Sequence, residues 1–200
     1  MAYCIMNVDK QKRSAIYGLQ AEANRQPNDN REFDNSDIDC SRTGDNVFLR
    51  YCDSWNREIT EQIKAAGVKE RKDSNVGITG VYTASAEWFD THSRNEWMKY
   101  FEDCLKFHDK VYGRCFNAVV HLDEDVPHMQ CISVPLIEDE RGWHLSAKKI
   151  MGNRADYQRR QDQFFEEVGE RYGMDRGIRR DAADIKAHTT KREWQMATQE

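Results

Sequence analysis

The chain alternates between short apolar runs and longer stretches in which apolar residues recur every three or four positions. Residues 2–8 (AYCIMNV), 76–85 (VGITGVYTAS), 114–122 (RCFNAVVHL) and 128–136 (HMQCISVPL) are compact runs bounded by polar or turn-forming residues, which predicts strands. Helical spacing covers residues 12–26, closed by Pro27, and 54–68, with Gly67 near its end. It also covers 93–112, where Ser93 offers a cap and Trp97, Tyr100, Phe101, Cys104, Leu105 and His108 share one face. A further long helix is expected over 153–174, stopping near Gly173. Residues 27–46 are rich in Asn and Asp and predict a loop. FNAVVHL and HMQCISV are joined only by DEDVP, so an antiparallel hairpin is the natural pairing. Strands mixed with helices in this way predict an α+β fold, with a central antiparallel β-sheet flanked by α-helices.

Length and composition narrow the class. With 200 residues the chain supports one domain with its own core, and 1–200 is read as a single domain. The last twenty residues are charged with little apolar period. They are expected to trail across the surface or to lead into a further domain of a longer protein. Charged residues make up 32% of the chain and no run of about 18 apolar residues occurs, so no membrane segment is expected. The N-terminus lacks a basic region ahead of its apolar residues, which argues against secretion. Six cysteines without a CxxC pair fit reduced thiols in a cytoplasmic protein. The formal charge of −5 argues mildly against nucleic acid as a partner. Three basic islands change that picture: KERKD (69–73), SAKKIMGNR (146–154) and DRGIRRDAADIKAHTTKRE (175–193). Binding of phosphates depends on where cations sit, not on their total.

The hairpin carries the chemistry. In HLDEDVPHMQ (121–130), antiparallel pairing brings His121 close to His128, and Gln130 lies two residues further on the same face. Two imidazoles and an amide oxygen converge, with Glu124 and the aspartates 123 and 125 beside them. This donor set suits a divalent ion such as Mn²⁺ or Mg²⁺ better than zinc, for which no thiolate is properly spaced. The same spacing is also compatible with two polar residues at a hairpin end and no metal.

HLDEDVPHMQ resembles the third motif of the Mob/Pre (MobV-type) plasmid-mobilisation relaxases, in which His-x-Asp-Glu, a short spacer and Pro-His-x-His occur together. The opening strand and helix with Arg25, DNVFL (45–49), RKDSNVGITGVYTAS (71–85), LSAKKIMGNR (145–154), QDQFFEEVGERYGMDRG (161–177) and IKAHTTKREW (185–194) are similar to other family segments, in the family's order. The resemblance implies an endonuclease of the HUH type, with the relaxase and replication-initiator fold. Such an enzyme cuts one strand at a transfer origin, stays attached to the new 5′ end and later rejoins it. It implies single-stranded origin-of-transfer DNA as the partner, accessory relaxosome and coupling proteins, and a dimer formed through a C-terminal region beyond this chain. Among the residues, it implies metal ligation by His121, His128 and Gln130 and catalytic roles for Arg25 and Glu124. It also implies phosphate contacts from Arg25, Arg71, Lys72, Lys148 and Lys149, expected to border one groove leading to the metal face.

Two departures bear on the chemistry. Gln130 stands where the family usually has its last histidine, a harder and weaker ligand than imidazole. His-hydrophobic-Gln occurs among initiators of the related fold, which implies a retained but looser metal site. The family's first motif is His-x-x-Arg, its histidine being the proposed nucleophile, whereas this chain has Glu22-Ala23-Asn24-Arg25. Glu22, one helical turn from Arg25, is the first candidate nucleophile. Tyr157, on the helix after the hairpin, and Tyr17 are the others. The alternative function is a DNA-binding module of the same fold with little or no cleavage.

Overall fold

The computed structural model describes residues 2–26 and 37–177. Part of the expected 27–46 loop, the last twenty residues, the IKAHTTKREW segment and most of the 175–193 island lie outside the described residues. Among the described residues, seven strands run in chain order: β1 Cys4–Lys12, β2 Val47–Arg50, β3 Asn75–Ala84, β4 Cys115–His121, β5 His128–Ser133, β6 Leu136–Asp139 and β7 Gly142–Leu145. Six α-helices accompany them: α1 Ile16–Ala23, α2 Trp55–Ala65, α3 Ala86–Thr91, α4 Arg94–Tyr112, α5 Ala147–Met151 and α6 Arg154–Glu167. The first five strands form one antiparallel sheet in the order β1-β3-β5-β4-β2, and β6 and β7 form a separate hairpin.

The expected sheet with flanking helices is therefore present, with differences in detail. β1 runs on to Lys12 because alternate residues Cys4, Met6 and Val8 are buried while their neighbours pair along β3. That leaves a 3₁₀ turn at 13–15 and a helix only from Ile16. The apolar run at 128–136 is split, since Pro135 removes a ladder donor and the chain turns into the β6–β7 hairpin. The long helix expected to reach 174 ends at Glu167 and continues as a 3₁₀ turn, Gly169–Tyr172.

Each face of the main sheet has its own core. Cross-strand partners Met6, Tyr82 and Met129 point to one face, where α4 and α6 cover them. α4 starts with a reciprocal cap, in which Ser93 N–H donates to Glu96 at 2.8 Å, and buries Tyr100, Phe101, Cys104, Leu105, Phe107, His108 and Tyr112. Each large side chain among these contributes about 1.5–3 kcal/mol by burial. Gly80 leaves room for His108 against the sheet, since a Cβ there would stand 2.7 Å from its Nδ1. On the opposite face, Ile16 of α1 and Trp55, Ile59 and Ile63 of α2 pack on Val119 and Ile132. This second core covers part of that face, and the part next to the β4–β5 turn carries the histidines.

Candidate metal centre and nucleic-acid interface

His121 and His128 are direct cross-strand partners, on the same face as Gln130, Val81 and Thr83. His121 Nδ1 and His128 Nε2 stand 3.1 Å apart. The other nitrogen of each ring meets a backbone carbonyl: His121 Nε2 with Ala23 at 2.8 Å, and His128 Nδ1 with Val126 at 3.1 Å. A carbonyl can only accept, so those nitrogens carry protons, and when both rings are neutral the facing pair carries two lone pairs. Two lone pairs at 3.1 Å repel unless a cation lies within reach of both. A metal ion with ligand bonds of about 2 Å can reach both. The carbonyl partners are the orienting contacts that metal-binding imidazoles ordinarily make. Burial, together with the neighbouring His128 and Arg25, pushes His121 down to about 3, so it stays neutral as a ligand must.

The third group is Glu124. Its carboxylate lies 3.9 Å from His128 Nε2, and the ligand atoms of His121, Glu124 and His128 all lie within 4.8 Å of one another. Glu124, named at first among the catalytic candidates, thus stands where a ligand would. Gln130 shares the face one pair further along, between Val81 and Val119. A cleft of about 370 Å³ opens beside His128, lined by Val81, Thr83, Asp37, Glu124 and Asp125. Carboxylates dominate its polar wall, so this is an acidic well.

Arg25 holds this end of the molecule together. Its N–H donates to the Glu22 carbonyl at 3.2 Å and that of Gln26 to Ala21 at 2.9 Å, which closes α1 with Arg25 at the position glycine usually takes. Its φ is +50°, a conformation costing a non-glycine residue about 1–2 kcal/mol. The side chain explains why arginine stands there. Nε and Nη2 bind both oxygens of Asp123 at 2.9 Å, Nη2 binds Glu124 at 2.7 Å, and Nη1 donates to the Glu22 carbonyl at 3.0 Å. Asp123 is fully buried and also accepts from Thr43 at 3.1 Å and Asn46 at 2.8 Å. Burial would raise its pKa, but the hydrogen bonds of Arg25 and Asn46 and the Arg25 charge outweigh that and hold it well below the usual carboxylate range. Asn46 accepts in turn from Leu122 N–H at 2.7 Å, and Arg42 donates to the Leu122 carbonyl. Sequence reading marked DNVFL only as a short motif. Its Asn46 pins the two residues that follow His121.

The remaining candidates lie as follows. Arg25 does not border an open groove: its guanidinium is buried and engaged by Asp123, Glu124 and the chain. Tyr157 lies across the sheet from the histidines. Its hydroxyl donates to the Met6 carbonyl at 3.3 Å, and its helix packs through Phe164 on Tyr82, on the face opposite the histidines. Glu22 is exposed in the last turn of α1, next to the Ala23 carbonyl that His121 binds. Tyr17 is 63% exposed, near the start of the same helix.

The basic residues gather elsewhere. Arg71, Lys148 and Lys149 line a groove of about 620 Å³ with Lys69, Arg141 and Trp143. Lys72 is exposed on the same turn as Arg71 but does not line it. Asn75 borders this groove and Thr83 pairs with His128. At about 3.3 Å per residue along β3, groove and histidines are roughly 26 Å apart. The groove is not the vestibule of the well.

His108, Cys115 and Cys131 form a second cluster of possible ligands, wholly buried. His108 Nε2 donates to Ser133 Oγ at 3.1 Å, and Nδ1 accepts from Tyr82 Oη at 2.9 Å. Both nitrogens are satisfied without an ion, so this is a core histidine.

The family model described as plasmid recombination enzyme, Mob_Pre, matches residues 1–194. A plasmid recombination enzyme type 1 of Staphylococcus aureus is 34% identical over 194 residues, covering 92% of this chain and 46% of that protein. A plasmid recombination enzyme of Bacillus thuringiensis is 33% identical over 183 residues, covering 88% of this chain and 39% of that protein. The chain thus spans less than half the length of these relatives. Among solved structures, the MobM relaxase domain bound to plasmid pMV158 oriT DNA, in its Mn-bound form at pH 6.8, superposes with a TM-score of 0.82. It is 24% identical and the match covers 98% of both chains, which shows the same fold.

Proposed function

This chain belongs to the Mob_Pre family of plasmid recombination enzymes, and we propose that it is a metal-dependent relaxase domain that nicks and rejoins one strand at the transfer origin of a mobilisable element. The observation that carries the reading is the pair of bare ring nitrogens, 3.1 Å apart, with Glu124 beside them on an acidic well. Soft ligands are absent from the trio, and imidazole with carboxylate suits Mn²⁺, with Mg²⁺ as the weaker alternative. The Mn-bound neighbour supports the same choice. A divalent ion held there would polarise a phosphate oxygen and offset the charge that develops at phosphorus.

The residues of the chain divide the remaining work. His121 and His128, oriented by the Ala23 and Val126 carbonyls, hold the ion. Arg25 fixes Glu124, and Asp123 fixes Arg25. We assign the nucleophile to Glu22: a carboxylate oxygen forms the bond to phosphorus, the P–O3′ bond breaks, and the 3′ oxygen leaves and takes up a proton. Its place next to Ala23, on the side of the sheet that bears the histidines, supports it over Tyr157. Arg71, Lys148 and Lys149, with Lys72 nearby, take phosphates of flanking DNA. A cytoplasmic location goes with this role. Accessory proteins and a dimer go with the part of the relatives that this chain does not span.

Incubation with single-stranded origin DNA and Mn²⁺ tests the proposal. A covalent protein–DNA band is expected, lost in Glu22→Gln, kept in Tyr157→Phe and cleaved by hydroxylamine as an acyl phosphate would be. Adducts that survive hydroxylamine would move the chemistry to a tyrosine, with Tyr17 first in line. No adduct with any origin strand would leave the DNA-binding module as the better reading.

A further inference from the structure

The groove at the far end of β3 holds a feature that phosphate contacts alone do not use. Trp143 on β7 is 45% exposed, whereas Trp55 and Trp88 are buried. It stands on a groove wall with five exposed cations, Lys69, Arg71, Arg141, Lys148 and Lys149, against two carboxylates, Asp73 and Asp139. Asp139 and Lys149 pair off at 3.0 Å, with His144 2.6 Å from Asp139, which leaves four cations against Asp73. On a chain with a net charge of −5, this is a local surplus of positive charge around an exposed indole. The hairpin presents it rigidly: Glu138 pairs with Trp143 and Leu136 with Leu145, and Leu136 and Leu145 pack on the second core.

We infer that this groove is a second DNA-binding site, which grips single-stranded DNA by stacking a base on Trp143 while the surrounding lysines and arginines take its phosphates. The inference rests on the relaxase reading for the identity of the polymer. Cations that follow a backbone beside an aromatic platform are what single-strand binding requires, because every base has a π-face. Duplex DNA would use the cations but leave the indole without a partner. Standing roughly 26 Å from the histidines along β3, the groove holds nucleotides well away from the scissile phosphate. It acts as an anchor for the flanking strand and takes no part in the chemistry.

The test uses the full chain, a mixed-sequence single strand of about 30 nucleotides and the matching duplex. Single-strand binding should quench tryptophan fluorescence, and Trp143→Ala should remove most of that quenching and weaken binding about tenfold. Trp143→Phe, which keeps a stacking ring, should stay within about threefold of the parent protein. Lys148→Ala should lower the salt slope whether Trp143 is present or not. All of this should persist without metal and in His121→Ala, so a failure of nicking leaves the groove measurement intact. Parent-like single-strand affinity in Trp143→Ala overturns the inference. So does tighter binding of duplex than of single strand with no response to Trp143→Ala.

Discussion

The histidine well and the Trp143 groove lie along one sheet, roughly 26 Å apart along β3, with opposite electrostatics. The well is lined by the carboxylates of Asp37, Glu124 and Asp125 and suits a cation. The groove carries a cationic surplus and accepts phosphates directly. Behind the well, His121, Asp123 and Arg25 are buried in set positions, with Arg25 held at four hydrogen bonds. The groove is built from long exposed side chains. Chemistry at phosphorus needs atoms placed within a few tenths of an ångström, whereas retention of a flexible strand does not. On the proposed reading, a site for reaction and a site for holding are thereby separated on one sheet.

The largest effect should come from removing a ligand from the well. His121→Ala or His128→Ala should weaken Mn²⁺ affinity by about 100-fold or more, read by calorimetric titration, and abolish covalent adducts. Affinity for long single strands should hardly change. An equal loss at both sites would mean that the two are not separate. Next comes Arg25→Leu, which leaves Asp123 as a buried, unpaired charge and should cost about 3–5 kcal/mol in urea unfolding. Arg25→Lys keeps the charge but loses the two-pronged contact, and should cost less. A stability change under 1 kcal/mol for Arg25→Leu would contradict the anchoring role.

Acid separates the two sites as well. Burial depresses His121 to about 3, below its ordinary 6.5. Below pH 6.5 the unfolded chain gains a proton that the folded chain refuses. Stability of the metal-free protein should therefore fall as pH drops from 6.5 towards 3, and the fall should be shallower in His121→Asn. Identical pH profiles for the two proteins would refute the assignment. The smallest effect belongs to the groove, where Arg71→Ala should reduce the salt slope of single-strand binding by about 0.7–1 and leave Mn²⁺ affinity untouched.

Legibility followed sequence distance. α2, β3, α4 and the β4–β5 hairpin could be read directly, since each rests on a local apolar period or a tight turn. His121 and His128 lie seven positions apart across one turn, so strand geometry alone brings them together. The β6–β7 hairpin was hidden because its apolar start runs on from β5, and only Pro135 hints at the break. β2 was seen only as a motif, since its four residues are too few to show a period.

By itself the sequence determined the α+β class, the hairpin and the two imidazoles, all products of neighbours along the chain. Tertiary structure decided the rest. Ala23 and His121 are 98 positions apart, as are Arg25 and Asp123, so neither the tautomer of His121 nor the capture of Arg25 has a local signal. Tyr157 follows the hairpin closely in the chain yet lies across the sheet, because the face a helix covers depends on which apolar layer it fills and not on its order. Lys69 and Arg71 meet Lys148 and Trp143 only because the start of β3 and the β7–α5 junction come to the same end of the sheet. Strand register is set by residues two apart, but which charges share a groove is set by packing between segments that the chain keeps far apart.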